Sequence, residues 1–209
     1  MIESIEYAIQ ILLGAVGVAM SAVFAMRTRH REFVLLMLGI GVYSLGDLYM
    51  LLYLIFYGVT PGYSYVHDIS WYSASLFFAF LAFEMLGERA KGQRRKIIWL
   101  VPAFTVGMCI FFLWFWGDWF GNLMAVATRT ILMWFAFAGV LELKGEPPIK
   151  YKRRVCLWIL LFGLTEYATD TMSCFWIGDV IYNPYFWLDS IVSILFVLMP
   201  LSLRKAVRQ

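Results

Sequence analysis

Seven long apolar runs separated by short polar links constrain this chain more than any other feature. They fall at about 6–26, 33–57, 66–87, 97–116, 119–141, 154–177 and 186–203. A helix of roughly 20 apolar residues crosses about 30 Å of hydrocarbon, so each run has about the length of a membrane span. Lipid offers no partner to backbone N–H and C=O groups, which leaves only helices or a closed barrel. The dyad alternation of a membrane strand is missing, so the barrel is set aside. Hydrophobic residues make up 62% of the chain and charged ones 15%, against about 25% charged in soluble domains. So much apolar surface does not fit inside a soluble fold of this size. The expected fold is a single all-α integral membrane domain over residues 1–209, with seven transmembrane helices in a lipid bilayer. Glu3 and Glu6 stand where a signal peptide would carry basic residues, so the first run is read as a mature helix.

The basic residues orient these spans. Arg27, Arg29 and Arg31 lie between runs one and two, and Arg89, Lys91, Arg94, Arg95 and Lys96 between three and four. Lys144, Lys150, Lys152, Arg153 and Arg154 lie between five and six, and Arg204, Lys205 and Arg208 follow run seven. By the positive-inside rule the N-terminus is outside, the C-terminus is cytoplasmic, and the setting is a bacterial cytoplasmic membrane. The net charge of +3 therefore averages two unlike faces. The basic face reflects topology and anionic lipid, and no nucleic-acid partner is expected. The outer face, with Glu3, Glu6, Asp68, Asp118 and Asp179, should attract cations.

One basic residue, Arg129, breaks the rule by sitting inside run five, and several acids also lie within the apolar runs. At about 1.5 Å per residue, Asp47, Arg129, Glu166 and Asp170 lie near the midplane or in the outer half. His67, Asp68 and Asp189 lie nearer the outer ends of runs three and seven. Glu166 and Asp170 are four residues apart on one helix face, as are Tyr43 and Asp47. A charge at this depth costs about 2.5 kcal/mol or more and normally faces a partner in the bundle interior. Arg129 is therefore expected to pair with Asp170 or Glu166, and Tyr43, Asp47, His67, Asp68, Arg129, Glu166, Asp170 and Asp189 form the candidate ligand-binding set. The blander reading is a buried hydrogen-bond network that only fixes helix packing. Tyr63, Tyr65, Trp71 and Tyr72 read first as an aromatic belt, and second as a cap holding a cation by its ring faces.

The acids also suggest an internal repeat. Asp47 precedes Pro61 by fourteen positions and Asp170 precedes Pro184 by fourteen, with Asp68 and Asp189 opening the helices that follow. This points to a three-plus-one-plus-three plan, with parallel halves 1–88 and 119–205 about a linker helix at 97–116, or else to coincidence in an apolar chain.

Several activities are disfavoured. Run seven has no lysine for a rhodopsin Schiff base, and two histidines do not make a zinc cluster. Cys109, Cys156 and Cys174 lie within the runs and read as packing residues, with no disulfide, metal or cofactor expected. No phosphate loop or serine-hydrolase elbow occurs, so the chain is read as leaning away from an enzyme.

The stretch "GVYSLGDLYMLLYLIFYGVTPGYSYVHDISWYSASLFFAFLAFE", residues 41–84, carries a Gly-Asp followed by aromatics, a Gly and Pro in the next loop, and an acid opening the next helix. In this it resembles the multi-helix membrane sensor segments of bacterial diguanylate-cyclase proteins. The resemblance implies a ligand or state sensor acting through a cytoplasmic or membrane output partner, although no cyclase segment is present in the sequence. Gly46 and Asp47 are also similar to the membrane Gly-Asp of the lysoplasmalogenase family, whose Lys-Pro signature is missing. The three-plus-one-plus-three plan is similar to that of the PQ-loop carriers, without their Pro-Gln motif. The expected function is a membrane-embedded sensor with an outward acidic pocket for a small polar or cationic ligand. Its alternatives are a proton-coupled carrier and an intramembrane lipid hydrolase.

Overall fold

The computed structural model describes residues 2–59, 61, 65–92, 96–176 and 181–207. Among them are seven α-helices: α1 (Ile2–Thr28), α2 (Arg31–Tyr57), α3 (Tyr65–Leu86), α4 (Leu100–Trp116), α5 (Trp119–Glu142), α6 (Ile149–Phe175) and α7 (Pro184–Val207). Two short 3-10 turns join α3 to α4, and no strand occurs among the described residues. Six helices are long and apolar enough to cross a membrane. The exception is α6, which opens on Lys150, Lys152, Arg153 and Arg154 and carries Glu166 and Asp170 further along. The same acids that mark α6 as a site helix lower its apolarity.

Local chemistry sets the helix ends. Gly117 closes α4 in the left-handed region at φ 67°, where a glycine has no Cβ penalty, and its N–H bonds Leu113 O at 3.1 Å. Asp118 then opens α5 by accepting the Gly121 N–H at 3.1 Å, as an N-cap should. Pro184 begins α7, where its missing N–H costs nothing.

The basic residues gather at one end of the bundle and stitch helices together there. Arg31 Nη2 meets Glu84 Oε2 at 2.6 Å, Arg89 Nη1 donates to Glu142 O at 3.2 Å, and Arg153 Nε donates to Val140 O at 2.9 Å. The Arg204 guanidinium lies 5.0 Å over the Phe24 ring, joining α7 to α1.

Six helices close a ring in the order α1, α2, α3, α5, α6, α7, while α4 packs on α5 outside it. α3 also meets α6, and α2 meets α7, across the middle. Exchanging α1, α2 and α3 for α5, α6 and α7 leaves this list of packed ring pairs unchanged. The burial registers follow the same exchange. Phe33, Leu36, Gly39, Ile40, Tyr43 and Gly46 of α2 are buried, and so are Cys156, Ile159, Phe162, Gly163, Glu166 and Thr169, each 123 positions further on. Ala74, Ser75, Phe78, Ala79, Leu81, Ala82 and Met85 of α3 correspond to buried Leu195, Phe196, Met199, Pro200, Ser202, Leu203 and Ala206 of α7, at one constant separation.

The core is an aromatic knot where the halves meet. Phe78 lies edge-on to Phe162 at 4.9 Å, and Tyr43 edge-on to Phe196 at 5.0 Å. Close approach needs small residues: a Cβ on Gly17 would lie 2.6 Å from the Phe196 carbonyl oxygen. The outside of the bundle is apolar, with Leu12, Met26, Ile110 and Trp114 exposed, as a surface facing lipid requires.

Candidate functional site

The site is built outward from Arg129, which is 5% exposed on α5. Its Nη1 donates to Asp170 Oδ2, and its Nη2 lies 3.3 Å from Glu166 Oε2. One turn of α6 separates the two acids, so one guanidinium fork reaches both. The guanidinium also sits 5.0 Å over the Tyr167 ring. Glu166 has a further partner across the bundle: Tyr43 Oη on α2 donates to its Oε1 at 2.9 Å. This hydrogen bond joins the two halves through the aromatic knot.

Behind that bond lies a second set. Tyr43 stacks on Trp71 of α3 at 5.7 Å, and Trp71 Nε1 points at Asp47 Oδ1 at 3.4 Å. Asp47 is 1% exposed and its other oxygen, Oδ2, has no hydrogen-bond partner. His67 lies edge-on to Trp71 at 4.4 Å, with its Nε2 3.2 Å from Asp68 Oδ1.

A cavity of about 280 Å³ opens between α3, α4, α5 and α6. Its polar lining is Asp68, Asp118, Asn122, Arg129 and Asp170. Its apolar walls are largely aromatic: Trp71, Tyr72, Phe112, Trp116 and Tyr167. Phe112 is stacked on both Trp116 and Tyr167, with interplanar angles of 7° in each case. The wall therefore runs as parallel rings down to the Arg129 guanidinium. Tyr72 Oη is anchored by the Gly121 carbonyl at 3.0 Å, and Asp118 is held by its capping bond.

Of the residues singled out in the sequence, Asp68, Arg129 and Asp170 line this cavity. Glu166 and Tyr43 stand behind Arg129 and hold it, while Asp47 and His67 stand behind Trp71. Asp189 is elsewhere: it is buried on α7 and does not line the cavity. Trp71 and Tyr72 reach the cavity, Tyr63 lies outside the described residues, and the side chain of Tyr65 is likewise not described. Sequence reasoning missed Phe112 and Trp116 because α4 carries no charge and reads as a linker. Their one signal was i, i+4 aromatic spacing next to a Gly-Asp turn. It also treated Asp118 as a loop acid, although a Gly-Asp pair before an apolar run is a helix-start signal.

The cavity offers three carboxylates and one guanidinium that is already met by two acids. Its net character favours a positive group, and the ring faces favour a poorly hydrated one. No group of three or more His, Cys, Asp or Glu among the described residues is placed to hold a metal ion. Comparison with known proteins finds no family model, no curated protein and no solved structure that matches this chain.

Proposed function

We propose that the protein is a seven-span membrane sensor of the bacterial cytoplasmic membrane, N-terminus outside, whose outward cavity binds a small organic cation or zwitterion. The carrying observation is the cavity of about 280 Å³ in which Asp68, Asp118 and Asp170 meet a single, internally neutralised Arg129 beside aromatic walls. That volume lies near the lower end of ligand sites and suits an ammonium compound of a few carbons. The gathering of basic residues at the opposite end supports the orientation by the positive-inside rule. A ligand ammonium beside Asp170 competes with Arg129 for its carboxylate. Arg129 then leans on Glu166, whose hydrogen bond to Tyr43 carries the change into α2 and the other half. A partner at the basic face would read the resulting shift in helix packing.

The test is thermal stabilisation of the purified protein in detergent by choline, glycine betaine and a short diamine, with acetate as the anionic control. Ligand at one hundred times its Kd stabilises a folded protein by about 2.7 kcal/mol, which is readily seen as a raised Tm. The reading expects stabilisation by a cation or zwitterion, weakened in Asp68→Asn and in Asp118→Asn. Stabilisation by acetate alone, or by none of the compounds, would overturn it. Substrate counterflow in liposomes would reassign the same cavity to a carrier, and lipid turnover without a gradient to a hydrolase.

A further inference from the structure

Helix α4 packs on α5 outside the ring and reaches α6 chiefly through aromatic rings. Phe104 lies edge-on to Tyr167 at 5.3 Å, and Phe115 edge-on to Phe175 at 5.5 Å. A crevice of about 400 Å³ is left between the two helices. Phe104, Met108 and Phe111 line one side of it, and Leu164, Ala168 and Met172 the other. Phe104 and Leu164 are each 41% exposed, so the crevice opens on the outside of the bundle, the surface that faces lipid. From Leu164 to Met172 the helix rises about 12 Å, at roughly 1.5 Å per residue. The crevice is thus a slot along the helices, and none of the residues that line it is charged.

Tyr167 lines both this slot and the charged cavity. On the cavity side its ring lies 5.0 Å from the Arg129 guanidinium and runs parallel to Phe112. On the slot side it meets Phe104. Tyr167 is 3% exposed, and its hydroxyl has no hydrogen-bond partner among the described residues. A buried phenol normally finds an acceptor, so this one calls for an explanation. The unmet donor belongs to the one side chain that joins a polar, acidic cavity to an apolar slot. A molecule with a charged head, an oxygen at the junction and a hydrocarbon tail satisfies all three parts at once. The volumes agree. The cavity of about 280 Å³ is small for a ligand site, whereas cavity and slot together fall well inside the usual range of about 300–1,000 Å³. The larger groove between α1 and α2, about 560 Å³, has no charged residue in its lining, so a charged head has no partner there.

We propose that the ligand of the cavity is a single-chain amphiphile drawn from the surrounding bilayer, with its ammonium head among Asp68, Asp118 and Asp170, an acceptor oxygen at the Tyr167 hydroxyl and its alkyl chain in the α4–α6 slot. This rests on the reading of the cavity as a cation site. Lipid is as apolar as the slot, so burial of the chain adds little attraction; the acids hold the head, and the slot gives the chain its path and fit. The test is photolabelling of the protein in lipid nanodiscs with O-heptylcholine carrying a diazirine at the end of its chain, followed by peptide mass spectrometry. Adducts are expected on residues 104–111 and 164–172, and excess decyltrimethylammonium should remove them. Leu164→Trp, which fills the mouth of the slot from a half-exposed position, should lower their yield several-fold. Ala168→Phe should do the same from deeper in the slot, a second variant in case the first fails to fold. A probe in which the uncharged carbon isostere replaces the head should give no competitor-sensitive adduct there. Adducts that excess competitor does not remove, or competitor-sensitive adducts confined to other places such as the α1–α2 groove, would overturn the proposal. Choline binding, measured by calorimetry on the same nanodiscs, separates the two failures. Choline bound without slot adducts overturns the amphiphile alone, while slot adducts that the uncharged probe matches overturn the cation reading with it.

Discussion

The two halves of this bundle place acids at matching positions and surround them with different partners. In the second half Arg129 sits between Asp170 and Glu166, and an open cavity lies above it. In the first half Asp47, the counterpart of Asp170, is met instead by the Trp71 indole N–H at 3.4 Å. A guanidinium fork can engage two carboxylates at once beside the cavity. An indole N–H donates to a carboxyl group without bringing a charge of its own. The difference teaches that matching acids on one scaffold can face a charged partner in one half and a neutral donor in the other.

The largest break in that comparison is removal of the fixed charge. Arg129→Met strands the buried Glu166 and takes its partner from the half-buried Asp170, and should cost about 3–5 kcal/mol, seen as a large drop in Tm. A change below about 1 kcal/mol would mean that the acids are not held by Arg129. Arg129→Lys should fall between, since one ammonium does not reproduce the fork. Close approach between α1 and α7 comes next. Gly17→Val presses a side chain on the Phe196 carbonyl and should cost about 1–3 kcal/mol, whereas Gly107→Ala, with nothing near a new Cβ, should cost little or even stabilise. The bond that joins the halves is smaller: Tyr43→Phe should lose about 0.5–1.5 kcal/mol, the range for a typical intramolecular hydrogen bond. Unchanged stability there, together with lost ligand response, would sharpen its role from support to transmission. Smallest in stability but decisive for recognition is Asp118→Asn. Asn caps a helix about as well as Asp, so stability should move by about a few tenths of a kcal/mol at most while cation affinity falls. Asp118→Ala should cost about 1 kcal/mol more, which separates the cap from the charge.

How much of this was legible in the sequence depends on range. The helices themselves follow from apolar length, and their ends from signals such as Gly117-Asp118 and Pro184. The Arg129–Glu166–Asp170 centre was also legible, because one guanidinium among apolar residues must find an acid and the two acids share a helix face. Glu6 was not. Its place near the N-terminus suggested a solvated acid, but packing of α1 on α7 leaves it 7% exposed. Ring closure between the first and last helices is a long-range event that no local period announces. The same limit hid α4: an uncharged helix outside the ring still supplies Phe112 and Trp116 to the cavity, because it leans on α5 at the level of Arg129. Asp189 was grouped with the cavity acids by its depth. Depth along the membrane normal says nothing of which helices flank a residue, and α7 meets α1 rather than α5.

The central claim is that the cavity recognises positive charge against aromatic walls. Titration calorimetry of choline against its uncharged carbon isostere, on the purified protein and on Asp68→Asn, tests it most directly. The two ligands have the same shape, so any difference reads the charge. The account predicts that choline binds at least tenfold tighter than the isostere, and that Asp68→Asn erases much of the gap. Equal binding of both, or binding of neither with an intact fold, would contradict it.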